Sequence, residues 1–379
     1  MTKQGYNTQT DTLSVLLLTV MLVAGSATAQ DAPSAPNFRA HPFLQFDAGD
    51  GRTADIALAD VDGDGDLDAL VANGRHWAQQ DLVFLNAGSG RFLEARRLGD
   101  GLAASYAHLV ADFNADGHPD IVTLGDQIPA MLRLNDGSGQ FGAARRLANT
   151  DGHVRSGTVL DANSDGQPDI AIATRRGADV ILLSDGLGSF SAPIDLPGDG
   201  KGSTGLATGD FNGDGRTDLV VARRDGSASV VMMNRGDAKF GAVPLNGSVG
   251  DHRKAVVGDF NGDATPDILL VSTDGDHKLY TETNSDGFGG PLSINRDGHA
   301  TQAMAAADLN GDGRLDLIEG NDGTNYILLN RGDGTFAPHP LSDDTDDTYG
   351  VSIADMNGDN RPDIIVANSG AANRVLTQR

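Results

Sequence analysis

Short apolar segments of small and β-branched residues alternate along the chain with loops rich in aspartate and glycine, and no stretch has the 3.6-residue period of an amphipathic helix. Residues 254–258 and 268–272, for example, flank the acidic loop that begins at Asp259. This order predicts a strand, a tight loop and a second strand. A third apolar run follows and ends in a glycine-rich turn, as in Leu329–Phe336, which predicts a hairpin leading into a fourth strand.

The four-strand unit repeats along the whole chain. Each acidic loop has the form D-x-[DN]-x-D-[G]-x-x-D, and the seven leading aspartates are separated by 52, 49, 49, 49, 49 and 47 residues. Repeats of this length with four strands each are typical of β-propeller blades. We therefore predict an all-β fold, a seven-bladed β-propeller of four-stranded blades with an acidic loop between strands one and two of each blade.

The two ends of the chain complement each other. The chain ends at Arg379, directly after the third predicted strand of the seventh unit, so that unit lacks a fourth strand of its own. Residues 37–47 precede the first unit and have the spacing of a fourth strand. We expect them to complete the last blade, since ring closure removes open sheet edges.

Residues 1–29 have the layout of a secretory signal peptide. Lys3 lies in a short polar start, an apolar run extends from Leu13 to Ala24, and Ala27-Thr28-Ala29 forms the cleavage motif. The apolar run is shorter than the roughly 20 residues needed to cross a bilayer. We expect residues 30–379 to be a single propeller, secreted or periplasmic, without a transmembrane segment after cleavage.

Composition narrows the function classes. The chain of 379 residues has no cysteine, which excludes disulfides, thiolate metal sites and cysteine nucleophiles. Its formal net charge is −25, from 53 acidic and 28 basic side chains, so nucleic acid is not expected as a partner. Nearly half of the acidic side chains lie in the seven loops, which raises the question of what neutralises them there.

The loops have the pattern of calcium ligands. Oxygens at positions 1, 3, 5 and 9, with the carbonyl of position 7, converge on one ion in such a loop, and several carboxylates select Ca²⁺. We expect up to seven ions, one per blade. The candidate ligands are Asp60, Asp62, Asp64, Asp68, Asp112, Asn114, Asp116, Asp120, Asp161, Asn163, Asp165, Asp169, Asp210, Asn212, Asp214, Asp218, Asp259, Asn261, Asp263, Asp267, Asp308, Asn310, Asp312, Asp316, Asp355, Asn357, Asp359 and Asp363.

Two alternatives bear on these loops. Aspartate and asparagine also form hairpin turns without metal, and an EF-hand would need flanking helices and a glutamate at position 12, which only the sixth copy has as Glu319. The fifth site is doubtful because Ala264 replaces the glycine at position 6, where a positive φ is costly for a residue with a Cβ.

The loops, together with the Phe-Gly pairs at 141–142, 240–241 and 288–289, resemble the FG-GAP/VCBS repeats that form the integrin α-subunit propeller. The resemblance spans residues 37–379. It implies a seven-bladed propeller whose calcium loops lie on the lower face. It does not define a function, because such propellers occur in adhesion proteins, lectins and polysaccharide lyases.

The opposite face carries candidate ligand-binding residues. Counting back six residues from each leading aspartate gives one residue per blade at a common height, among them Tyr106, Arg155, Arg253 and Tyr349. Segments between strands two and three add further basic and aromatic residues. The full candidate set is Arg75, His76, Trp77, Tyr106, Arg155, Arg175, Arg176, Arg223, Arg224, Arg253 and Tyr349.

These residues suit an anionic or polyhydroxylated ligand, with arginine for carboxylate or sulfate and aromatic rings for stacking. We expect a binding module, lectin-like or adhesive, for a glycan or a surface protein. One alternative is a polysaccharide lyase, with candidate catalytic residues Tyr106, His108, His153, Arg155, His252, Arg253 and Tyr349. Another is a structural or adhesion propeller without a small-ligand site, in which arginines on a polar rim only balance neighbouring aspartates.

Overall fold

The computed structural model describes residues 35–47, 51–281, 283–284, 287–296 and 298–379, which fall into one compact unit. The predicted signal peptide lies outside the described residues. Within the described part, no helix is long and apolar enough to cross a membrane.

The described residues form thirty strands, in agreement with the alternation of apolar runs and turns. In chain order they are β1 (Phe38–Phe46), β2 (Thr53–Ala59), β3 (Asp68–Asn73), β4 (Leu82–Asn86), β5 (Phe92–Arg97), β6 (Ser105–Ala111), β7 (Asp120–Gly125), β8 (Met131–Arg133), β9 (Arg145–Arg146), β10 (Val154–Leu160), β11 (Asp169–Thr174), β12 (Val180–Leu182), β13 (Ile194–Asp195), β14 (Ser203–Gly209), β15 (Asp218–Arg223), β16 (Val230–Asn234), β17 (Phe240–Pro244), β18 (His252–Gly258), β19 (Asp267–Ser272), β20 (Asp276–Tyr280), β21 (Thr283–Asn284), β22 (Gly287–Phe288), β23 (Leu292–Asn295), β24 (Thr301–Ala307), β25 (Asp316–Asn321), β26 (Tyr326–Asn330), β27 (Phe336–Pro340), β28 (Thr348–Ala354), β29 (Asp363–Asn368) and β30 (Asn373–Gln378).

Seven antiparallel sheets of four strands each form the blades, which confirms the predicted seven-bladed propeller. Strands β2, β6, β10, β14, β18, β24 and β28 are innermost, and each contacts the innermost strand of the next blade, with β28 returning to β2. In blade five the glycine-rich turn forms the small hairpin β21–β22, and β23 is the outer strand.

The N-terminal strand belongs to the seventh sheet, whose order is β1-β30-β29-β28. The register runs from Phe38 opposite Gln378 to Phe46 opposite Asn373, with an irregularity between Ala40 and Gln45. The Phe46 ring is buried against Phe84 and Phe92 of blade one, with centroid distances of 5.1 and 4.5 Å. The strand therefore joins the last blade and packs against the first.

The hydrophobic core lies between the blades. The second strand of every blade is buried along its whole length, and its apolar side chains pack against those of the neighbouring blade. Between blades two and three, for example, Phe113 and Val122 pack with Ile170 and Leu182. Such contacts fix each blade relative to the next and hold the loops of both faces in a ring.

Candidate functional site

A β-bulge recurs in the innermost strand of every blade. The pairing of strand one with strand two shifts by one residue around the second residue of each innermost strand. The bulged residues are Ala54, Tyr106, Arg155, Thr204, Arg253, Gln302 and Tyr349. They are the residues found by counting back six from each leading aspartate, and the bulge turns each side chain toward the propeller axis.

All seven bulged residues line one axial cavity of about 160 Å³ at the end of the propeller opposite the acidic loops. The other lining residues are Arg75, His76, Arg175, Arg224 and Lys254. Arg253 and Lys254 are consecutive, yet both line the cavity, because a bulge places two successive residues on one side of the strand. The lining carries six basic side chains and, among the described residues, no carboxylate.

Three of the lining arginines are paired with aspartates at the rim. Arg155 lies 2.9 Å from Asp126. Arg175 forms two hydrogen bonds with Asp225, at 2.7 and 2.9 Å, and Arg224 forms two with Asp251, both at 2.9 Å. These pairs link successive blades from two to five. They fit the expectation that rim arginines balance neighbouring aspartates, and they hold the rim in a defined shape.

Arg75 and Arg253 are different, because within the described part of the chain neither forms an ion pair. Arg75 is only 9 % exposed, has a φ of 49°, and its Nε and Nη1 atoms are buried without a hydrogen-bond partner. Arg253 Nε is also buried without one. Both guanidinium groups lie over the ring of Tyr349, at 3.6 and 5.8 Å from its centroid. Burial lowers the pKa of Arg253 from its ordinary value.

Gln302 lies in the bulge ring between Arg253 and Tyr349. Its Nε2 donates a hydrogen bond to the Ala300 carbonyl oxygen at 3.3 Å, while its Oε1 is buried and has no partner. This wall of the cavity therefore offers unused donors on two arginines and an unused acceptor on Gln302. It suits a ligand that has both an anionic group and a hydroxyl group.

Tyr106 and His76 line the other wall and form a hydrogen-bonded chain with Asp126, which does not line the cavity. His76 Nδ1 lies 3.1 Å from Asp126 Oδ2, and the Tyr106 hydroxyl lies 3.0 Å from His76 Nε2. Burial favours the protonated form of Asp126, but the hydrogen bond and charge of Arg155, together with the hydrogen bonds to His153 and His76, lower its pKa overall. An ionised Asp126 accepts a hydrogen bond from Nδ1–H of His76, so Nε2 is the nitrogen that accepts a hydrogen bond from the Tyr106 hydroxyl. Burial raises the pKa of Tyr106.

Two histidines predicted as catalytic candidates do not reach the cavity. The His108 side chain is fully buried between blades one and two, 3.2 Å from the Thr123 hydroxyl and 4.0 Å from Asp81, and burial lowers its pKa. His252 is 2 % exposed, its Nε2 donates to the Ser248 carbonyl oxygen at 3.0 Å, and burial lowers its pKa. Both side chains are buried away from the axial cavity. His153 contacts Asp126 at 3.1 Å but does not line the cavity.

Three of the predicted ligand-binding residues also lie outside the cavity. Arg223 is the last residue of β15 and is buried, with Asp199 at 3.3 Å and Asp179 at 3.9 Å. Arg176 points into solvent. Trp77 is 51 % exposed and stacks on Arg52, whose guanidinium carbon lies 3.8 Å from the ring centroid.

The sequence did not indicate Asp126 as a site residue, although its carboxylate contacts Arg155, His76 and His153. The signal was its position, since Asp126 directly follows strand two of its blade, as Arg175 and Arg224 do in theirs.

The acidic loops share one conformation across all seven blades. The leading aspartate accepts a hydrogen bond from the main-chain N–H of position 6 at 2.6–2.9 Å. The ninth aspartate is buried and accepts one from position 2. Positions 4 and 6 both have positive φ, including Ala115, Ser164 and Ala264, the last at 67°. Ala264 therefore keeps the common backbone of the loop.

The donor set of blade one fits a hard cation. Oxygens of Asp60, Asp62 and Asp68 lie within 4.8 Å of one another, and Asp62 Oδ1 is buried without a hydrogen-bond partner. Burial, followed by the charge of Asp64, raises the pKa of Asp62. Burial also raises the pKa of Asp68 to about 6. A nearby cation would stabilise the ionised form of carboxylates placed in this way, and a ligand set made only of oxygen atoms favours Ca²⁺.

The fold and the repeated loops define a seven-bladed propeller of aspartate-loop repeats. The family of FG-GAP-like repeats matches residues 60–123, 112–172, 161–221, 210–270, 259–319 and 308–366, each match spanning two successive loops. The chain therefore belongs to the FG-GAP-like repeat family, as its loops and Phe-Gly pairs suggested. No curated protein matches the chain.

Solved structures share the fold at low identity. The BP39L lectin from Burkholderia pseudomallei has a TM-score of 0.68 and 16% identity, covering 86% of this chain and 96% of its own. An Agrocybe aegerita lectin that recognises non-reducing terminal N-acetylglucosamine has a TM-score of 0.54 and 20% identity, covering 90% of this chain and 93% of its own. The rhamnogalacturonan lyase YesW has a TM-score of 0.54 and 14% identity, covering 90% of this chain and 74% of its own.

Proposed function

We propose that the protein is an exported, calcium-stabilised binding module whose axial cavity takes an anionic glycan. One observation carries this proposal: Arg75 and Arg253 present buried N–H groups without partners at the wall of a cavity that no carboxylate lines among the described residues. A buried cation without a partner is costly, and a bound carboxylate or sulfate would supply the missing charge-assisted hydrogen bonds.

The local charge of the cavity supports an anionic ligand despite the charge of the whole chain. The formal net charge is −25, but much of the acidity lies in the loops at the opposite end of the propeller. Three lining arginines are paired with aspartates at the rim, and the remaining lining cations are Arg75, Arg253 and Lys254. Asp347, which does not line the cavity, lies within electrostatic range of Arg75 and Arg253. Walls of low dielectric concentrate the field of the lining cations.

Lectins among the structures with this fold favour a glycan ligand, and the predicted signal peptide and calcium loops suit an extracellular protein. A surface protein would contact the rim, where the guanidinium groups are already paired. A propeller without a small-ligand site would leave unexplained why the buried Arg75 and the half-buried Arg253 both lack an ion pair within the described part of the chain.

The proposal is tested by retention of the calcium-loaded protein on immobilised glycans, comparing polyuronates, sulfated glycans and neutral glycans. We expect retention on anionic glycans, weakened at least tenfold in Arg75→Ala and in Arg253→Ala. Arg331→Ala is the matched control, because it removes the same charge from an exposed turn at the far end of the propeller. Equal binding of all three variants, or no binding to any anionic glycan, would exclude the cavity as the site.

A second candidate function, polysaccharide lyase, is favoured by the hydrogen-bonded chain of Tyr106, His76 and Asp126. In a β-elimination, Tyr106 would take the C5 proton of a uronate as its own proton passes to His76. The C5–H electrons form the C4–C5 double bond, the C4–O bond breaks, and the leaving oxygen takes a proton from Tyr106, which recovers its own proton from His76. Arg75 and Arg253 would stabilise the charge that develops on the carboxylate.

Formation of an unsaturated product separates the two candidates. If the lyase is correct, Tyr106→Phe binds the polyuronate with unchanged affinity and forms product at least a hundredfold more slowly, about 2.7 kcal/mol in activation free energy. If the wild-type protein binds and forms no product, the lyase is wrong and the binding module stands.

A further inference from the structure

We infer that the cavity holds a single terminal acidic sugar residue, with its carboxylate on Arg75 and Arg253 and a hydroxyl group on Gln302. This inference rests on the proposed binding function and adds to it the part of the glycan that is recognised. It follows from the shape of the cavity and from the unequal character of its two walls.

The cavity is closed at its sides by all seven blades. One bulged residue from each blade lines it, and each is the second residue of its innermost strand. Lys254, the third residue of β18, is the lining residue that lies deepest along these strands, each of which is seven residues long. The remaining four residues add about 13 Å at the usual rise of a strand before the acidic loops begin. The cavity therefore ends in the upper part of the central channel.

This shape favours the end of a chain over its interior. A residue within a linear glycan carries a glycosidic bond on each side, so both flanking residues would have to leave through the same mouth. A terminal residue carries one such bond. The volume of about 160 Å³ suits one sugar-sized group rather than a folded segment of chain.

The wall formed by blades five, six, seven and one has groups that still lack partners. Arg253 and Arg75 lie over Tyr349, and Gln302 belongs to the blade between Arg253 and Tyr349. On the facing wall, Tyr106 and His76 are already hydrogen-bonded to each other, and His76 is hydrogen-bonded to Asp126 outside the cavity. The anionic group of a ligand should therefore bind to the first wall, which fixes the orientation of the sugar.

Gln302 makes a hydroxyl group part of the requirement. Its amide orientation is set by the hydrogen bond from Nε2 to the Ala300 carbonyl oxygen, so the buried Oε1 accepts and needs a donor. Acetate or sulfate would accept hydrogen bonds from the guanidinium groups of Arg75 and Arg253 but would leave Gln302 Oε1 without a donor. A uronic acid supplies the carboxylate and, on the neighbouring carbons of the same ring, hydroxyl donors.

The first test is calorimetric titration of the calcium-loaded protein with galacturonate and with oligogalacturonates of two to eight residues. Terminal recognition predicts one protein bound per chain and a Kd per chain that stays within about threefold over the series, less than 0.7 kcal/mol. A monosaccharide that fails to bind while the oligomers bind, or several proteins per chain, overturns this inference and leaves the proposed function intact. If no uronate binds at any length, while sulfated or other anionic glycans do, the inference is wrong.

The second test compares Gln302→Ala with wild type, using galacturonate and acetate as probes. We expect the variant to lose at least tenfold in affinity for galacturonate and to keep its weak affinity for acetate, which uses only the arginines. Arg75→Ala should lose both. An unchanged galacturonate affinity in Gln302→Ala, with thermal unfolding like that of wild type, contradicts the role given to Gln302.

Discussion

The side-chain amide of Asn86 donates a hydrogen bond of 3.0 Å to the main-chain carbonyl oxygen of Met356, 270 residues away, and so joins the first blade to the seventh. The same bond recurs between other neighbouring blades, from the end of strand three to position 2 of the previous acidic loop. The equivalent donors and acceptors are Asn135 and Val61, Asn234 and Ala162, Asn330 and Phe260, and Gln378 and Leu309. The acidic loops are thus part of the blade-to-blade contact.

Replacing Asn86 by alanine should lower the free energy of unfolding by about 1–3 kcal/mol, because the buried carbonyl of Met356 loses its donor. Urea unfolding measures this change. Gln140→Ala, at an exposed turn, is the control and should change stability by no more than about 0.5 kcal/mol. Equal stability of the two variants would show that the bond does not hold the ring closed.

Phe46 tests closure by the N-terminal strand. Its ring is 5 % exposed and packs on Phe84 and Phe92 of blade one, so Phe46→Ala should destabilise the protein by about 3–5 kcal/mol. Leu93→Ala, at a side chain 73 % exposed, should have little effect. If both variants melt at the wild-type temperature, β1 contributes nothing to ring stability.

Glu319 predicts a pH dependence. It is fully buried and accepts hydrogen bonds from His277 Nε2 at 3.1 Å and from Thr301 at 3.0 Å, with Arg296 at 3.4 Å. Burial favours the neutral acid, but the hydrogen bond from His277 and the Arg296 charge hold its pKa below the ordinary 4.5. The stabilisation is therefore fully present above pH 4.5 and is lost as the pH falls through the lowered pKa.

Glu319→Gln should accordingly be less stable than wild type near neutral pH, with a difference that shrinks steadily below pH 4.5. Urea unfolding at a series of pH values gives that difference. Glu94→Gln, at a carboxylate 57 % exposed, should differ little from wild type at any pH. A constant difference for Glu319→Gln across the series would contradict the account.

Calcium removal tests the acidic loops. Chelation should lower the melting temperature by many degrees, because carboxylates held close together repel one another without the ion. Asp62→Asn should weaken calcium binding at the first loop at least tenfold, as followed by calorimetry. Asp66→Asn, at position 7, where only the main-chain carbonyl is a candidate ligand, should keep the affinity of wild type. A melting temperature that chelator leaves unchanged would favour metal-free turns.

The repeat and its spacing were enough to predict the fold. The seven leading aspartates give the blade count, and a fixed offset of six residues gives the bulge ring, because the same bulge recurs in every blade. The six-residue offset correctly identifies only the bulged residue of each innermost strand. His108 and His252 lie close to the ring in sequence, but both side chains are buried and do not line the cavity.

Long-range pairing was beyond the reach of the sequence. Whether an arginine is free depends on which aspartate lies beside it in the next blade, as Asp225 does for Arg175, 50 residues away. Arg75 and Arg253 have the same residue type as their paired neighbours, so only the folded ring distinguishes them. In the loops, the glycine at position 6 was recognised, whereas the second positive φ, at Ala115 and Ser164 of position 4, gave no signal because neither residue favours it.

The position of a bound sugar is best determined by a crystal structure of the calcium-loaded protein grown with galacturonate. We expect one sugar in the axial cavity, with its carboxylate within hydrogen-bonding distance of the Arg75 and Arg253 guanidinium groups and a hydroxyl group on Gln302 Oε1. A sugar bound elsewhere, such as between the outer edges of the blades, with an empty cavity, would contradict this expectation.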